Sequence, residues 1–142
     1  MYNKSVRAYK SESLESQLSV ADPHRVIQLM MQGVLEKIAL AKGAILRQDL
    51  EKKSHHISSA MAIINGLIDS LDPAAGKISE DLFSIYDYMK GLLLTASLKL
   101  DVAPLDEVTE LMLIIKSGWD QISDEDKAKG YAERSNRGGI SV

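Results

Sequence analysis

The chain has 142 residues, a formal charge of −3, 45% hydrophobic residues and only 5% aromatic ones. That length suits one domain with a real core, and filling by Leu, Ile, Met and Ala suits helices better than sheets. The acidic balance, with no Lys/Arg stripe along any one segment, argues against a nucleic-acid or polybasic membrane partner, and the lack of cysteine excludes disulfides, thiolate metal sites and Cys nucleophiles.

Residues 1–21 are mostly polar. Val6, Tyr9, Leu14 and Leu18 are their sparse apolar positions, spaced to suit a short amphipathic helix or a loosely docked arm. The first long helix opens at Asp22–Pro23. The Asp22 carboxylate can accept from free first-turn N–H groups, and Pro23 at N1 forfeits no hydrogen bond. Ile27, Met30, Val34, Ile38, Ala41 and Ile45 recur at helical spacing, with Val26, Leu29 and Leu40 beside them and Met31 and Gly33 nearby. Gly33 costs a helix about 1 kcal/mol against alanine, which marks it for close backbone approach.

"RQDLEKK" reads as a charged turn. The second helix carries Ile57, Ala60, Met61, Ile64, Leu67, Ile68 and Leu71 and stops in "LDPAAGK", where Pro73 and Gly76 break it. The stripe of the third is Ile78, Leu82, Ile85, Met89, Leu92 or Leu93, and Ala96, with Phe83, Tyr86 and Leu94 off it. Asp101 to Pro104 form the next turn. The last helix reads Leu105, Val108, Leu111, Met112, Ile115, Trp119, Ile122. From Ser123 the apolar rhythm stops, and a mobile polar tail is expected. No apolar segment has the length of a bilayer span, and the N-terminus lacks the h-region of a signal peptide. The expected fold is all-α: a single domain with an antiparallel four-helix bundle over 22–122, a short N-terminal helix or arm at 1–21, and a flexible tail at 123–142.

Reactive constellations are missing. His24, His55 and His56 each lack the Glu three positions earlier that a di-metal bundle uses, so no metal and no cofactor is expected. A histidine phosphotransfer domain is also a four-helix bundle, but Lys52 and Lys53 precede His55 and His56 and nothing basic follows on the next turn. No Gly-x-Ser-x-Gly serine or phosphate-cradling Gly loop occurs. The expectation is a protein that is not an enzyme. What remains is surplus apolar surface beside the stripes. Composition alone leaves two readings equally open: a binding groove, or the edge of a wide core face.

Several stretches, in order, resemble the flagellar secretion chaperone family FliS. "MYNKSVRAY" has that family's early tyrosines, Tyr2 and Tyr9. "ADPHRVIQLMMQG" is similar to its Ala-Ser-Pro-His opening that runs on to Leu-Tyr-Asp-Gly. "SLD" at 70–72 precedes a Gly turn, "IYDYM" at 85–89 is close to Leu-Tyr-Asp-Tyr-Met, and "LDEV" at 105–108 and Trp119 complete the set. Departures are Met31 and Gln32 in place of Tyr-Asp, Leu92 in place of an Arg, and Ser97 in place of an Asn.

The resemblance implies a cytoplasmic helical bundle. It would hold the disordered C-terminal segment of flagellin, block premature polymerisation and support delivery to the flagellar type III export apparatus, with an export-gate component as a further partner. It also implies that the N-terminal arm covers part of the binding surface when the client is absent. On this reading Val26, Leu29, Met30, Leu40, Phe83, Tyr86 and Leu94 contact the client by helix-in-groove recognition, and Val6 and Tyr9 belong to the displaceable cap. A weak homodimer is a further expected state; nucleic acid and membrane insertion are not. The competing readings are a bundle scaffold without a flagellin client and a phosphotransfer domain.

Overall fold

The computed structural model describes residues 22–122. Four helices fill most of that span: α1 (Pro23–Leu46), α2 (Leu50–Asp69), α3 (Lys77–Lys99) and α4 (Ala103–Asp120), with a 3-10 turn at Pro73–Ala75. No strand occurs among the described residues. The arm with Val6 and Tyr9 and the tail from Ser123 lie outside them.

Each helix packs on its sequence neighbours, and α4 closes back on α1. Cross-links show the directions. The start of α1 meets the end of α4 through Gln28 Nε2, which donates to Asp120 Oδ1 at 2.8 Å. The end of α1 meets the start of α4 through the Lys42–Asp106 ion pair, also 2.8 Å. Lys53 Nζ, in the first turn of α2, donates to the Ser97 carbonyl near the end of α3 at 3.2 Å. The bundle is therefore antiparallel throughout.

Local chemistry sets the helix limits. Asp22 caps α1 by accepting from Arg25 N at 2.8 Å, with Pro23 in the first turn. Asp49 does the same for α2 through Lys52 N at 3.1 Å. So α2 starts at Leu50, and most of "RQDLEKK" is helix; the turn is only Arg47, Gln48 and Asp49, tight enough to need a left-handed Gln48 (φ 60). Between α2 and α3, Asp72 accepts from Ala74 N at 2.9 Å, Ser79 Oγ donates back to the Asp72 carbonyl at 2.6 Å, and Gly76 turns the chain at φ 68, ψ −128. Leu100 ends α3 in the left-handed region, Asp101 accepts from Ala103 N at 3.0 Å, and Pro104 lies inside the first turn of α4 rather than in the preceding turn.

The core is Met31, Val34, Ile38, Ala41 and Ile45 from α1, Ile57, Ala60, Ile64 and Leu67 from α2, Tyr86, Met89, Leu93 and Ala96 from α3, and Leu105, Val108 and Met112 from α4. Truncating a fully buried Leu or Ile in such a core costs about 2–5 kcal/mol. Two stripes differ from the sequence reading. Met31, not Met30, is core, and Tyr86, not Ile85, continues the Leu82–Met89–Leu93–Ala96 line. Leu93 rather than Leu92 fills the position left open. Ile78, at the start of α3, is exposed rather than part of the stripe.

Gly33 does sit at a close approach. A β-carbon there would lie 3.2 Å from Ile63 Cδ1 of α2, and one on Gly66 would lie 2.7 Å from Met30 Cε of α1. The two glycines let α1 and α2 pack more intimately than any other helix pair in the bundle.

Candidate interaction surface

Three features stand out once the core is assigned. The first is an exposed apolar strip on α3. Phe83 and Leu94 are eleven residues apart, three helical turns, so they share a face, and Leu98 extends it by one turn. They are 49%, 56% and 77% exposed. The second is a matching pair on α1, Leu29 and Leu40, again eleven apart. Leu40 is 48% exposed, whereas Leu29 is half-buried. Large apolar side chains presented in rows differ from singly scattered ones, which need no explanation.

The third is a cavity of about 540 Å³ at the end of the bundle where α1 starts and α4 finishes. Val26, Ile27 and Met31 of α1, Leu82 and Tyr86 of α3, and Ile115 and Trp119 of α4 form most of its apolar wall, and Ser70, Asp72 and Ser79 bring polar groups to its rim. One side is closed by a reciprocal clasp. His24 Nε2 donates to the Trp119 carbonyl at 2.7 Å, since a carbonyl can only accept. Trp119 Nε1 donates to the His24 carbonyl at 2.9 Å. The two rings stack with centroids 4.9 Å apart and planes 7° from parallel. His24 is buried.

The proposed contact residues therefore fall into distinct environments. Phe83, Leu94 and Leu40 are exposed. Val26 lines the cavity, Met30 reaches over Gly66, and both are half-buried, as is Leu29. Tyr86 must be corrected. It is 2% exposed, a core side chain and part of the cavity wall, not a side stripe. Three residues before Met89 and seven before Leu93, it lies on their line along the helix. Burial pushes its phenol up to about 12, so it is neutral at any physiological pH.

Among the described residues no group of His, Cys, Asp and Glu is placed to hold a metal ion, and no helix is long and apolar enough to cross a membrane. His55 is exposed and His56 half-buried.

The described surface thus carries an exposed apolar row on α3, Leu40 exposed on α1, and an end cavity. Comparison with known proteins gives it a context. The profile of the family described as "Flagellar protein FliS" matches residues 5–126. The chain belongs to the FliS family. A Pseudomonas aeruginosa protein named "Flagellar secretion chaperone FliSB" is 44% identical over 121 residues, covering 84% of this chain and 96% of the relative. Proteins named "Flagellar secretion chaperone FliS" from Vibrio cholerae and Salmonella typhimurium are 37% and 36% identical, covering 85% and 87% of this chain and 90% and 93% of their own lengths. These FliS relatives are named as chaperones rather than enzymes.

The His24–Trp119 clasp escaped the sequence reading. Its only signals were the Asp-Pro-His opening and the lone Trp, and nothing local pairs residues 95 positions apart.

Proposed function

We propose that the chain is a cytoplasmic flagellar secretion chaperone. It binds the C-terminal segment of flagellin, keeps it from polymerising, and supports its delivery to the flagellar type III export apparatus, where a gate component is a further partner. The observation that carries this reading is the exposed apolar row Phe83–Leu94–Leu98 on α3, with Leu40 exposed on α1, on a member of the FliS family. An amphipathic segment that is disordered when free needs such rows to bury its apolar face, and folding onto them costs about 2–5 kcal/mol of ordering, offset by burial of about 1,000–3,000 Å². Val26, Leu29 and Met30, half-buried nearer the start of α1, complete the contact. Val6 and Tyr9 belong to a cap that shields the apolar surface until the client displaces it, and two shielded copies pair only weakly.

Titration calorimetry with the C-terminal segment of flagellin tests the reading. Near one-to-one binding with a large negative heat-capacity change is expected. Leu40→Glu combined with Leu94→Glu should abolish binding and leave the helical circular-dichroism spectrum intact, because both side chains already face water. No heat with the wild-type chain, or unchanged affinity in the double variant, refutes it. Deleting residues 2–18 should speed association if the cap is displaced by the client.

A further inference from the structure

Four leucines face water at the end of the bundle away from the cavity. The α1–α2 and α3–α4 turns both lie there, because Lys53 Nζ reaches the Ser97 carbonyl at 3.2 Å and Lys42 pairs with Asp106 at 2.8 Å. Leu46 and Leu50 flank the first turn, 67% and 53% exposed, and Leu100 sits in the second, 47% exposed. Leu98 borders them where it ends the α3 row. Leu100 is the most telling. It closes α3 in the left-handed region, at φ 51, ψ 44. Such a cap usually takes Gly or Asn, because a bulky side chain is strained there. Burial does not offset that strain, since nearly half of Leu100 remains in water. A strained residue that the core does not use points to use by something else. Charge at this end is balanced. Arg47, Lys52 and Lys99 stand in the two turns with Asp49, Glu51 and Asp101, and none of the six joins an ion pair among the described residues. Asp22 and Ile122, the limits of the described chain, lie at the other end: α1 carries the chain about 36 Å from Pro23 to Leu46, and Trp119 clasps His24 beside the cavity.

We infer that this turn end is a pairing face that takes a second copy of the chain, leucines against leucines about a two-fold axis. A partner rich in one sign of charge would call for the opposite sign here. A mixed, balanced face suits a copy of itself, because a two-fold axis can set the cations of one copy against the carboxylates of the other, and each such contact occurs twice. The four leucines expose roughly 400 Å² per copy, so pairing buries roughly 800 Å² of leucine surface; stable interfaces start near about 1,200 Å², and the pair is therefore weak and reversible. The inference rests on the weak pairing of copies proposed above and deepens it by naming the face.

Sedimentation equilibrium of the full-length chain tests it, loaded across about 10–1,000 µM. The wild-type mass should rise from one copy toward two over that range. Leu46→Glu combined with Leu100→Asn should weaken pairing about tenfold or more, with the helical circular-dichroism spectrum and the affinity for the C-terminal segment of flagellin unchanged. Leu100→Asn alone should weaken pairing without lowering Tm, because Asn tolerates the left-handed cap; it keeps the test valid if the double variant unfolds. Leu94→Glu, on the side of α3, should change pairing less than twofold. Pairing lost in Leu94→Glu and kept in the turn variants overturns the face and leaves weak pairing standing. A lower Tm in Leu100→Asn with pairing unchanged assigns Leu100 to the fold and also overturns the face. A wild-type chain that stays at the mass of one copy throughout overturns the face and the pairing together, while calorimetry with the flagellin segment reports on the chaperone reading separately.

Discussion

The His24–Trp119 clasp is the most exacting test of the packing described above. It consists of two hydrogen bonds of 2.7 and 2.9 Å and one stacked ring pair, and it joins the first turn of α1 to the last turn of α4. His24→Ala removes one donor and the stacking, and it opens space beside a cavity whose walls are already apart. A net hydrogen bond is worth about 1 kcal/mol, an offset ring pair about 0.5–1.5 kcal/mol, and the lost buried contacts add to both, for a total of about 2–3 kcal/mol. Trp119→Phe removes only the indole N–H and part of the ring, at about 1–2 kcal/mol; the His24 carbonyl can still accept within α1. In a bundle of this size 1 kcal/mol moves Tm by about 4–8 °C, so His24→Ala should lower Tm by about 10–20 °C. Urea unfolding of wild type, both single variants and the double variant, followed by far-UV circular dichroism, yields the coupling directly. A coupling of about 1 kcal/mol is expected. Strictly additive single effects, or a cost below about 0.5 kcal/mol for His24→Ala, would refute the clasp as a stabilising unit.

Three further outcomes follow from the same packing. With the Tyr86 phenol pushed up to about 12 against 10 when unfolded, the folded chain holds a proton that the unfolded chain loses first; stability should be intact below pH 10 and fall by about 2–3 kcal/mol as pH rises through that window, and Tyr86→Phe should flatten the fall in alkaline urea titrations. His56 has the opposite sense: its pKa is depressed by burial and neighbouring cations, so the unfolded chain takes up a proton at higher pH than the folded one. Stability should drop as pH falls through 6.5 toward the folded value and level off below it, and His56→Gln should remove that slope in unfolding midpoints taken across acidic to neutral pH. Finally, Gly76→Ala and Gly91→Ala should have opposite signs in thermal melts. Gly76 sits at φ 68, ψ −128, which side chains avoid at about 1–3 kcal/mol, whereas Gly91 is helical with open space around it and should gain up to about 1 kcal/mol.

Much of the bundle is legible in the sequence because helix limits are local events. Asp22 before Pro23, Pro73 with Gly76, and Asp101 with Pro104 announce helix ends through capping and missing donors, which act within four residues. The stripes Val34–Ile38–Ala41–Ile45, Ile57–Ala60–Ile64–Leu67 and Leu105–Val108–Met112 follow from the 3.6-residue period in the same way, and the family motifs lie on them. The start of α2 was misplaced because charged residues suit a solvent-facing first turn as well as they suit a loop.

Tertiary packing decided what periodicity leaves degenerate. Neighbours such as Met30 and Met31, or Ile85 and Tyr86, differ by only about 100° around a helix. Where both are apolar, the choice of core residue depends on where the adjacent helices stand. Gly33 and Gly66 let α2 approach α1 closely, so Met30 packs over Gly66 at that seam, while Met31 and Tyr86 are the neighbours buried in the core. The clasp joins residues 95 apart, beyond the reach of any local signal. Local propensity therefore determined the helices and their apolar faces, and only the antiparallel docking of one helix on another determined which side chains meet and which remain exposed.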